Sequence, residues 1–147
     1  MRLRIAWVGK TKEPAITALT AEYLKRLGRY VEAESMELAS EDALLKSVEK
    51  LAARTRPVLV ILDQRGRQFT SEEFSQFLND QQDRGAQQLV FAVGPADGFT
   101  AAARQAADLT LSFGKMTLAH ELARIVLLEQ LYRAFTILKG HPYHTGH

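Results

Sequence analysis

The chain has 147 residues, of which 46% are hydrophobic and 24% are charged, with a formal net charge of +2 and no cysteine. This length and composition predict one globular domain, which we assign to residues 1–147. Without cysteine the chain cannot form disulfides, carry out thiolate catalysis, or bind zinc and iron–sulfur clusters through thiolates.

The apolar segments of the sequence differ from those that enter membranes. The apolar run at the N-terminus is too short for a signal peptide. The longest apolar segment, 118–139, carries Glu121, Arg124, Glu129 and Arg133, charged residues that a membrane span would exclude. We therefore expect a cytoplasmic protein with no membrane partner.

The charges are unevenly distributed along the chain. Residues 1–30 carry seven basic side chains against two acidic ones, and residues 31–49 carry six acids against one lysine. A basic face formed by the first segment could bind nucleic-acid phosphate, or it could be an ordinary solvated surface. The seven basic residues are Arg2, Arg4, Lys10, Lys12, Lys25, Arg26 and Arg29.

The first third of the chain predicts two strands and two helices. Leu3–Val8 is a strand candidate, and apolar residues at helical spacing follow from Pro14 to Leu27. Residues Tyr30 to Leu38 alternate as a strand does. Ser40, followed by two acids, predicts the N-cap of a helix that ends near Arg54.

The middle of the chain contains two predicted strands that we expect to be buried on both faces. Pro57–Leu62 and Gln88–Val93 are near-continuous apolar runs, which is typical of the centre of a parallel sheet. A polar loop is predicted at Asp63–Gln68. Thr70 to Glu73 form a capping box that opens a helix through Leu78.

The last third ends in a long amphipathic helix. A loop is predicted from Gly94 to Phe99, Thr100 caps a short helix to Ala107, and Leu109–Leu111 is a strand. The loop Ser112–Thr117 leads to a helix from about Leu118 to Lys139. The apolar residues of this helix exceed one core stripe, so they either also bind a partner chain or are buried within the monomer. Its predicted core face comprises Leu118, Leu122, Ile125, Leu128, Tyr132 and Phe135, widened by Val126, Leu127 and Leu131.

Strands and helices thus alternate about five times with short connections. This order predicts an α/β fold with a mostly parallel sheet flanked by helices. In such sheets ligands bind beyond the carboxyl ends of the strands, where the loops 63–68, 94–99 and 112–117 lie. Their glycines would allow a close approach to a ligand, or would simply form turns. No dinucleotide or P-loop fingerprint is present.

Gly140 ends the long helix, and His141-Pro142-Tyr143-His144 follows as a polar, aromatic tail. His141, His144 and His147 are spaced three apart, but the proline and glycine between them oppose a regular helix that would align them. We therefore expect no metal site here.

These motifs, taken together, resemble the bacterial ribosomal large-subunit pseudouridine methyltransferases, which are small members of the SPOUT superfamily. The resemblance covers nearly the whole chain. It rests on V-G-K-T-K, V-I-L-D-Q-R-G and V-G-P-A-D-G-F, on L-S-F-G-K-M-T-L-A-H-E-L-A-R, and on L-L-E-Q-L-Y-R-A-F-T-I-L-K-G-H-P-Y-H. Val93 and Ala119 depart from the family, because relatives commonly have glycine and proline at these positions.

The resemblance implies a C-terminal trefoil knot, a homodimer whose sites draw on both subunits, and methylation of pseudouridine N3 in 23S ribosomal RNA. Because a small domain has little area for selecting one loop of free RNA, we expect the substrate to be the assembled ribosome or subunit. It also implies S-adenosylmethionine as cofactor and no metal. The implied cofactor-binding residues are Leu62, Gly94, Phe113, Gly114, Lys115, Met116, Thr117 and Leu118. The implied catalytic residues are His141, Tyr143 and His144, with Arg133 as a secondary candidate.

For the tail, we favour positioning and stacking of the target base over a dedicated general base. Two other functions remain open from the sequence. A flavodoxin-like nucleotide-binding protein would bind flavin or nucleoside phosphate in place of S-adenosylmethionine. A non-catalytic ribosome-associated module would bind ribosomes without the cofactor.

Overall fold

The structure is a computed structural model that describes residues 1–146. His147, the last of the three tail histidines, lies outside the described residues. Strands and helices alternate strictly, as the sequence predicts. The elements are β1 (Arg2–Val8), α1 (Pro14–Leu27), β2 (Glu32–Leu38), α2 (Glu41–Ala52), β3 (Val58–Gln68), α3 (Ser71–Asp83), β4 (Gln88–Val93), α4 (Ala101–Ala106), β5 (Leu109–Ser112) and α5 (His120–Leu138).

The five strands form one sheet in the order β2-β1-β4-β3-β5, and every neighbouring pair is parallel. This confirms the predicted α/β fold. The order also differs from the flavodoxin-like order 2-1-3-4-5, because β4 lies between β1 and β3. The flavodoxin-like alternative is therefore wrong at the level of topology.

Helices cover both faces of the sheet. Successive residues of a strand point to opposite faces, so Ile5 packs in the core under α1, α3 and α5, and Ala6 packs in the core under α2 and α4. Both residues are fully buried. No helix within residues 1–146 is long and apolar enough to cross a membrane.

β3 is longer than the sequence predicts. The segment Asp63–Gln68, predicted as a loop, continues the strand, because Arg67 and Gln68 pair with Leu111 and Ser112 of β5. Leu62 also pairs with Leu111, so the four residues between Leu62 and Arg67 bulge out of the ladder. A Cβ on Gly66, inside this bulge, would lie 2.5 Å from the carbonyl oxygen of Thr110, so only glycine allows the two backbones to approach this closely.

Two element starts also differ from the predictions. β2 begins at Glu32, because the backbone N–H groups of Tyr30 and Val31 bond to the carbonyl of Leu27 and extend the end of α1. Thr100 occupies the N-cap position of α4, but its side chain makes no capping bond. Its hydroxyl bonds instead to the carboxylate of Glu41 on α2.

The predicted caps of α2 and α3 are confirmed. The hydroxyl of Ser40 accepts a hydrogen bond from the backbone of Ala43 at 3.1 Å. Thr70 and Glu73 bond reciprocally to each other's backbone, at 3.0 and 2.8 Å, and form a complete capping box.

The buried face of α5 is rotated from the predicted one. Leu118 and Leu122, predicted for the core, are 41% and 54% exposed. Arg124 is instead only 2% exposed. The rotation follows from packing, because α5 lies against both α1 and α3 and buries whatever faces that groove. The buried residues are Arg124, Leu127, Leu128, Leu131, Tyr132, Ala134, Phe135 and Thr136.

Candidate active site

A cavity of about 360 Å³ lies at the bulge of β3 and the carboxyl ends of β4 and β5. Three chain segments build its walls, and the start of α5 closes one side. This is where an open parallel sheet is expected to bind a ligand. The lining residues are Leu62, Asp63, Gln64, Arg65, Val93, Gly94, Pro95, Ala96, Asp97, Gly98, Phe99, Leu111, Phe113, Gly114, Met116, Thr117, Leu118, His120 and Ala123.

Gly94 and Phe99 fit together in the wall after β4. A Cβ on Gly94 would lie 3.1 Å from two carbons of the Phe99 ring, closer than ordinary packing allows. Phe99 is 5% exposed and also belongs to the core under α2 and α4. Glycine at position 94 therefore lets the loop fold its aromatic ring back against the strand end.

Ser112 joins the bulge of β3 to the loop after β5. Its hydroxyl lies 3.2 Å from the carbonyl oxygen of Gln64 and accepts a hydrogen bond from the N–H of Gly114 at 3.0 Å. A second link, 3.4 Å long, joins Thr117 and Gln64 through their side chains. The bulge and the loop therefore form one connected wall.

Asp63 places a negative charge in the wall. Its side chain is 8% exposed and accepts hydrogen bonds from the backbone N–H and the guanidinium of Arg65, at 2.9 and 3.2 Å. Arg104 lies 3.9 Å away. Burial acts to raise the pKa of Asp63, but the hydrogen bonds from Arg65 outweigh it, so the pKa lies below its ordinary value. Asp63 is thus ionised, and the two arginines balance its charge.

Ala119, where the family resemblance leads us to expect proline, occupies the N-cap position of α5. Its φ of −55° is within the range that a proline ring imposes. The backbone here therefore has the conformation that proline would fix, without the ring.

Seven of the eight predicted cofactor residues line the cavity: Leu62, Gly94, Phe113, Gly114, Met116, Thr117 and Leu118. Lys115 is exposed and is not among the lining residues. The sequence did not single out Phe99 or Ala123. Both are apolar residues whose role in the cavity follows only from how the loops fold.

The four predicted catalytic residues meet at the other end of α5. Arg133 donates from its guanidinium to Nδ1 of His144 at 2.9 Å, and Nε2 of His144 lies 2.7 Å from the carboxylate of Glu72 on α3. Since arginine only donates, Nδ1 must be the acceptor and Nε2 must carry the proton. The hydrogen bond from His144 in turn lowers the pKa of Glu72. Both ring nitrogens of His144 are therefore engaged.

Glu129 holds Tyr143 and Arg133 together. Its carboxylate accepts hydrogen bonds from two guanidinium nitrogens of Arg133, at 2.6 and 2.8 Å, and one from the Tyr143 hydroxyl at 3.3 Å. The Tyr143 ring packs edge-on against Tyr132, with the ring centroids 4.8 Å apart. Burial, followed by the charge of Glu129, raises the pKa of Tyr143. Its phenol therefore stays protonated at neutral pH.

His141 is also engaged at one nitrogen, because its Nδ1 accepts a hydrogen bond from the backbone N–H of Tyr143 at 3.2 Å. Sequence reasoning assigned neither Glu72 nor Glu129 to this network. A group of three or more side chains suited to hold a metal ion does not occur among the described residues.

The cavity and the tail lie apart within one chain. None of His141, Tyr143, His144 and Arg133 lines the cavity. Ala123 lines it, and Arg133, which contacts the tail, follows ten residues later on the same helix, a distance of about 15 Å along the axis.

The chain matches the family described as "Predicted SPOUT methyltransferase" over residues 1–144. A Koribacter versatilis protein named "Ribosomal RNA large subunit methyltransferase H" is 58% identical over 147 residues, which is 100% of both chains. A protein of the same name from a Geobacter species is 42% identical over 156 residues, covering 98% of this chain and 99% of its own.

Two solved structures share the fold. The SpoU methyltransferase AviRb of Streptomyces viridochromogenes, in complex with AdoMet, aligns with a TM-score of 0.55 at 18% identity, and the match covers 90% of this chain and 57% of AviRb. A probable methylase family protein of Haemophilus influenzae aligns with a TM-score of 0.62 at 11% identity, covering 96% of this chain and 69% of its own. At these identities the likeness shows the fold alone.

Proposed function

Because the chain belongs to the SPOUT methyltransferase family, we propose that it transfers the methyl group of S-adenosylmethionine to N3 of a pseudouridine in large-subunit ribosomal RNA. The family match defines the type of enzyme. The names of the relatives, at up to 58% identity over the full chain, supply ribosomal RNA as the substrate. N3 of pseudouridine is the finer part of the proposal and rests on the resemblance of the sequence motifs to the pseudouridine methyltransferases.

The observation that carries the proposal is the cavity at the bulge of β3 and the carboxyl ends of β4 and β5. Its volume and its mixture of apolar walls and loop backbone suit a nucleoside-sized cofactor. Gly94 and Gly114 would allow the cofactor to approach the main chain, and Leu62, Phe113 and Leu118 would enclose its apolar parts. The cofactor supplies an electrophilic methyl group on a sulfonium, so the protein mainly has to hold the two reactants in line.

The network around the tail supports positioning over base catalysis. Neither Nδ1 of His144 nor Nδ1 of His141 has a free lone pair, because each accepts a hydrogen bond from within the chain. Tyr143 has a raised pKa and donates to Glu129. A general base needs a free lone pair at the reaction pH. We therefore assign the three tail residues to holding and stacking the target base, with Arg133 fixing His144.

A homodimer would unite the cavity and the tail. The two lie about 15 Å apart along α5 in one chain, so a complete site needs the tail of a second copy near the cavity of the first. Two exposed apolar side chains line the cavity, and two more lie on α5 and α1. Met116, Leu118, Leu122 and Leu19 are 85%, 41%, 54% and 42% exposed. A second copy that covers them would remove apolar surface from water.

We further propose that the substrate is the assembled large subunit or ribosome in the cytoplasm, since a domain of this size has little area for selecting one loop of free RNA. The trefoil knot that the resemblance implies stays a prediction.

The test is a calorimetric titration of the purified protein with S-adenosylmethionine, followed by tritium transfer from the cofactor to ribosomes and to protein-free ribosomal RNA. We expect micromolar binding and transfer to ribosomes only, with the label on a pseudouridine. Cofactor-independent binding to ribosomes without any transfer would instead support the non-catalytic module. Equal transfer to ribosomes and to protein-free ribosomal RNA would contradict the proposal that the substrate is the assembled large subunit or ribosome.

A further inference from the structure

The carboxylate of Glu121 holds a lysine-bearing loop that the cofactor cavity does not include. Glu121 lies in the first turn of α5, and its Oε1 accepts hydrogen bonds from the backbone N–H groups of Lys12 and Glu13, at 3.0 and 3.2 Å. The hydrogen bond from Glu13 lowers the pKa of Glu121, so the carboxylate is charged at neutral pH. One carboxylate oxygen thus holds the backbone just before α1.

This loop lies beside the cavity. It follows β1, which pairs with β4 so that Trp7 is opposite Val93, and Val93 and Gly94 line the cavity. His120, the neighbour of Glu121, lines the cavity as well. Because the strands are parallel, the loop after β1 and the loop after β4 emerge at the same edge. Lys10 and Lys12 are both exposed there.

The structure divides the seven basic residues of the N-terminal segment between two edges of the sheet. Arg2, at the start of β1, pairs with Glu32 at 3.0 Å, and Arg26, at the end of α1, pairs with Glu22 at 3.0 Å. These lie at the amino edge, about 23 Å from the carboxyl edge by the length of β1. Only Lys10 and Lys12 lie at the carboxyl edge.

These two lysines lie at the end of α1 that the helix dipole does not favour for cations. They precede α1, whose N-terminal end carries partial positive charge that disfavours nearby cations. Lys25, by contrast, lies in the last turn of α1, where the helix dipole favours it. Within residues 1–146, none of the ion pairs includes Lys10 or Lys12. Their ammonium groups are therefore available to a negatively charged partner.

We propose that Lys10 and Lys12 form a phosphate-binding loop for the ribosomal RNA that presents the target base, and that Glu121 is the positioning residue that fixes this loop relative to the cavity. The inference rests on the proposed function, because it takes ribosomal RNA as the partner. Two exposed acids, Glu13 and Asp97, flank the same edge and limit its net charge. The contact is therefore local, made by two ammonium groups to backbone phosphate.

Glu121 lies in a turn of α5 that contacts both the cavity and the loop that carries Lys10 and Lys12. The same turn of α5 contributes His120 to the cavity and Glu121 to the lysine loop. The RNA contact therefore keeps a fixed distance from the bound cofactor. Removing the carboxylate would release the loop without removing either lysine, so the effect of Glu121 on RNA should act through Lys10 and Lys12.

The test compares K10Q/K12Q with the matched control K25Q/K50Q, which removes the same charge from exposed lysines at the ends of α1 and α2. Binding to purified ribosomes is measured by sedimentation at several salt concentrations, and methyl transfer is measured in parallel. We expect K10Q/K12Q to weaken ribosome binding about tenfold and to lower the slope of log affinity against log salt by about 0.7 for each phosphate that the variant no longer binds. The cofactor affinity and kcat should change less than about twofold.

A double-mutant cycle tests Glu121. Alone, E121A should raise the KM for ribosomes with kcat retained. E121Q should raise the KM less than E121A does, since its amide oxygen still accepts a hydrogen bond. In the K10Q/K12Q background, E121A should add no further effect, because the three residues act as one unit. Full additivity would overturn the positioning role.

Equal ribosome binding and equal salt slopes in K10Q/K12Q and K25Q/K50Q would overturn the phosphate contact. Because binding is measured without turnover, this comparison is decisive even when the wild-type protein transfers no methyl group. Absence of transfer would count against the proposed function alone.

Discussion

The guanidinium of Arg124 lies over the indole of Trp7, with its central carbon 3.7 Å from the ring centroid. This contact joins α5 to the end of β1, one residue away from Ala123 in the cavity wall. Arg124 also donates to Thr20 of α1 at 3.4 Å. Among the buried polar side-chain atoms of residues 1–146, its Nε is the one without a hydrogen-bond partner. Burial lowers the pKa of Arg124, although a guanidinium stays protonated in a protein.

Arg124 should therefore stabilise the fold more through packing than through charge. We expect Arg124→Ala to reduce the free energy of unfolding by about 2–4 kcal/mol, because it leaves a cavity under α5. Arg124→Met should reduce it by less than about 1.5 kcal/mol, since methionine fills the space and removes the buried charge. Urea unfolding followed by the fluorescence of Trp7, the sole tryptophan, measures both. An equal loss in the two variants would contradict this explanation.

Gly94 should control the affinity for the cofactor. In Gly94→Ala the new methyl group lies 3.1 Å from the Phe99 ring, which then has to move within the cavity wall. Overpacking of this kind costs about 1–3 kcal/mol, so we expect the Kd for S-adenosylmethionine to rise about tenfold. Calorimetry measures the change. Adding Phe99→Leu should recover part of the affinity by making room, and no recovery in the double variant would show that the ring is not the obstacle.

Much of the fold could be predicted because its signals are local. The buried strand β4 and the capping box of α3 are encoded in neighbouring residues, and both occur at the predicted positions. The extension of β3 could not be predicted in this way. Its polar residues Arg67 and Gln68 resemble a loop, and their strand conformation depends on pairing with β5, more than forty residues away.

In the candidate site, too, the features set by local sequence could be predicted and the long-range contacts could not. Glycines at strand ends predict where the cavity lies, because parallel strands bring their ends together. The contact of Glu121 with Lys12 spans 109 positions, and that of Glu72 with His144 spans 72. Such pairs carry no periodicity and no motif. Leu122 was predicted for the core because helical spacing gives the width of an apolar face but not which part of it meets the sheet.

The pKa of Glu72 should report whether the tail is docked. The hydrogen bond from His144 stabilises the ionised carboxylate, so the folded-state pKa lies below the ordinary value of 4.5. A carboxylate whose pKa is lowered by folding stabilises the folded state at pH values above its ordinary pKa. This stabilisation is lost as the pH falls through the folded-state pKa. We expect NMR titration to show a lower pKa for Glu72 in the wild-type protein than in His144→Ala. The same pKa in both would mean that the tail is not held by this contact in solution.

Deletion of residues 141–147 should abolish methyl transfer while leaving cofactor binding mostly intact. His141, Tyr143 and His144 do not line the cavity, and the deletion removes no residue of α5. Calorimetry with S-adenosylmethionine and tritium transfer to ribosomes measure the two effects separately. Loss of both together would instead assign the tail a structural role.

Mixing two inactive variants should restore activity if each site draws on two chains. The truncated chain keeps an intact cavity, and a Gly94→Val chain keeps an intact tail but has a blocked cavity, because its larger side chain meets the Phe99 ring. In a mixed dimer the cavity of the first chain meets the tail of the second, which completes one site of the two. With equal amounts and free exchange, about half the dimers are mixed, so activity should recover to about a quarter of the wild-type value. Each variant alone should stay inactive. No recovery, with mixed dimers demonstrated by mass, would show that cavity and tail of the same chain form the site.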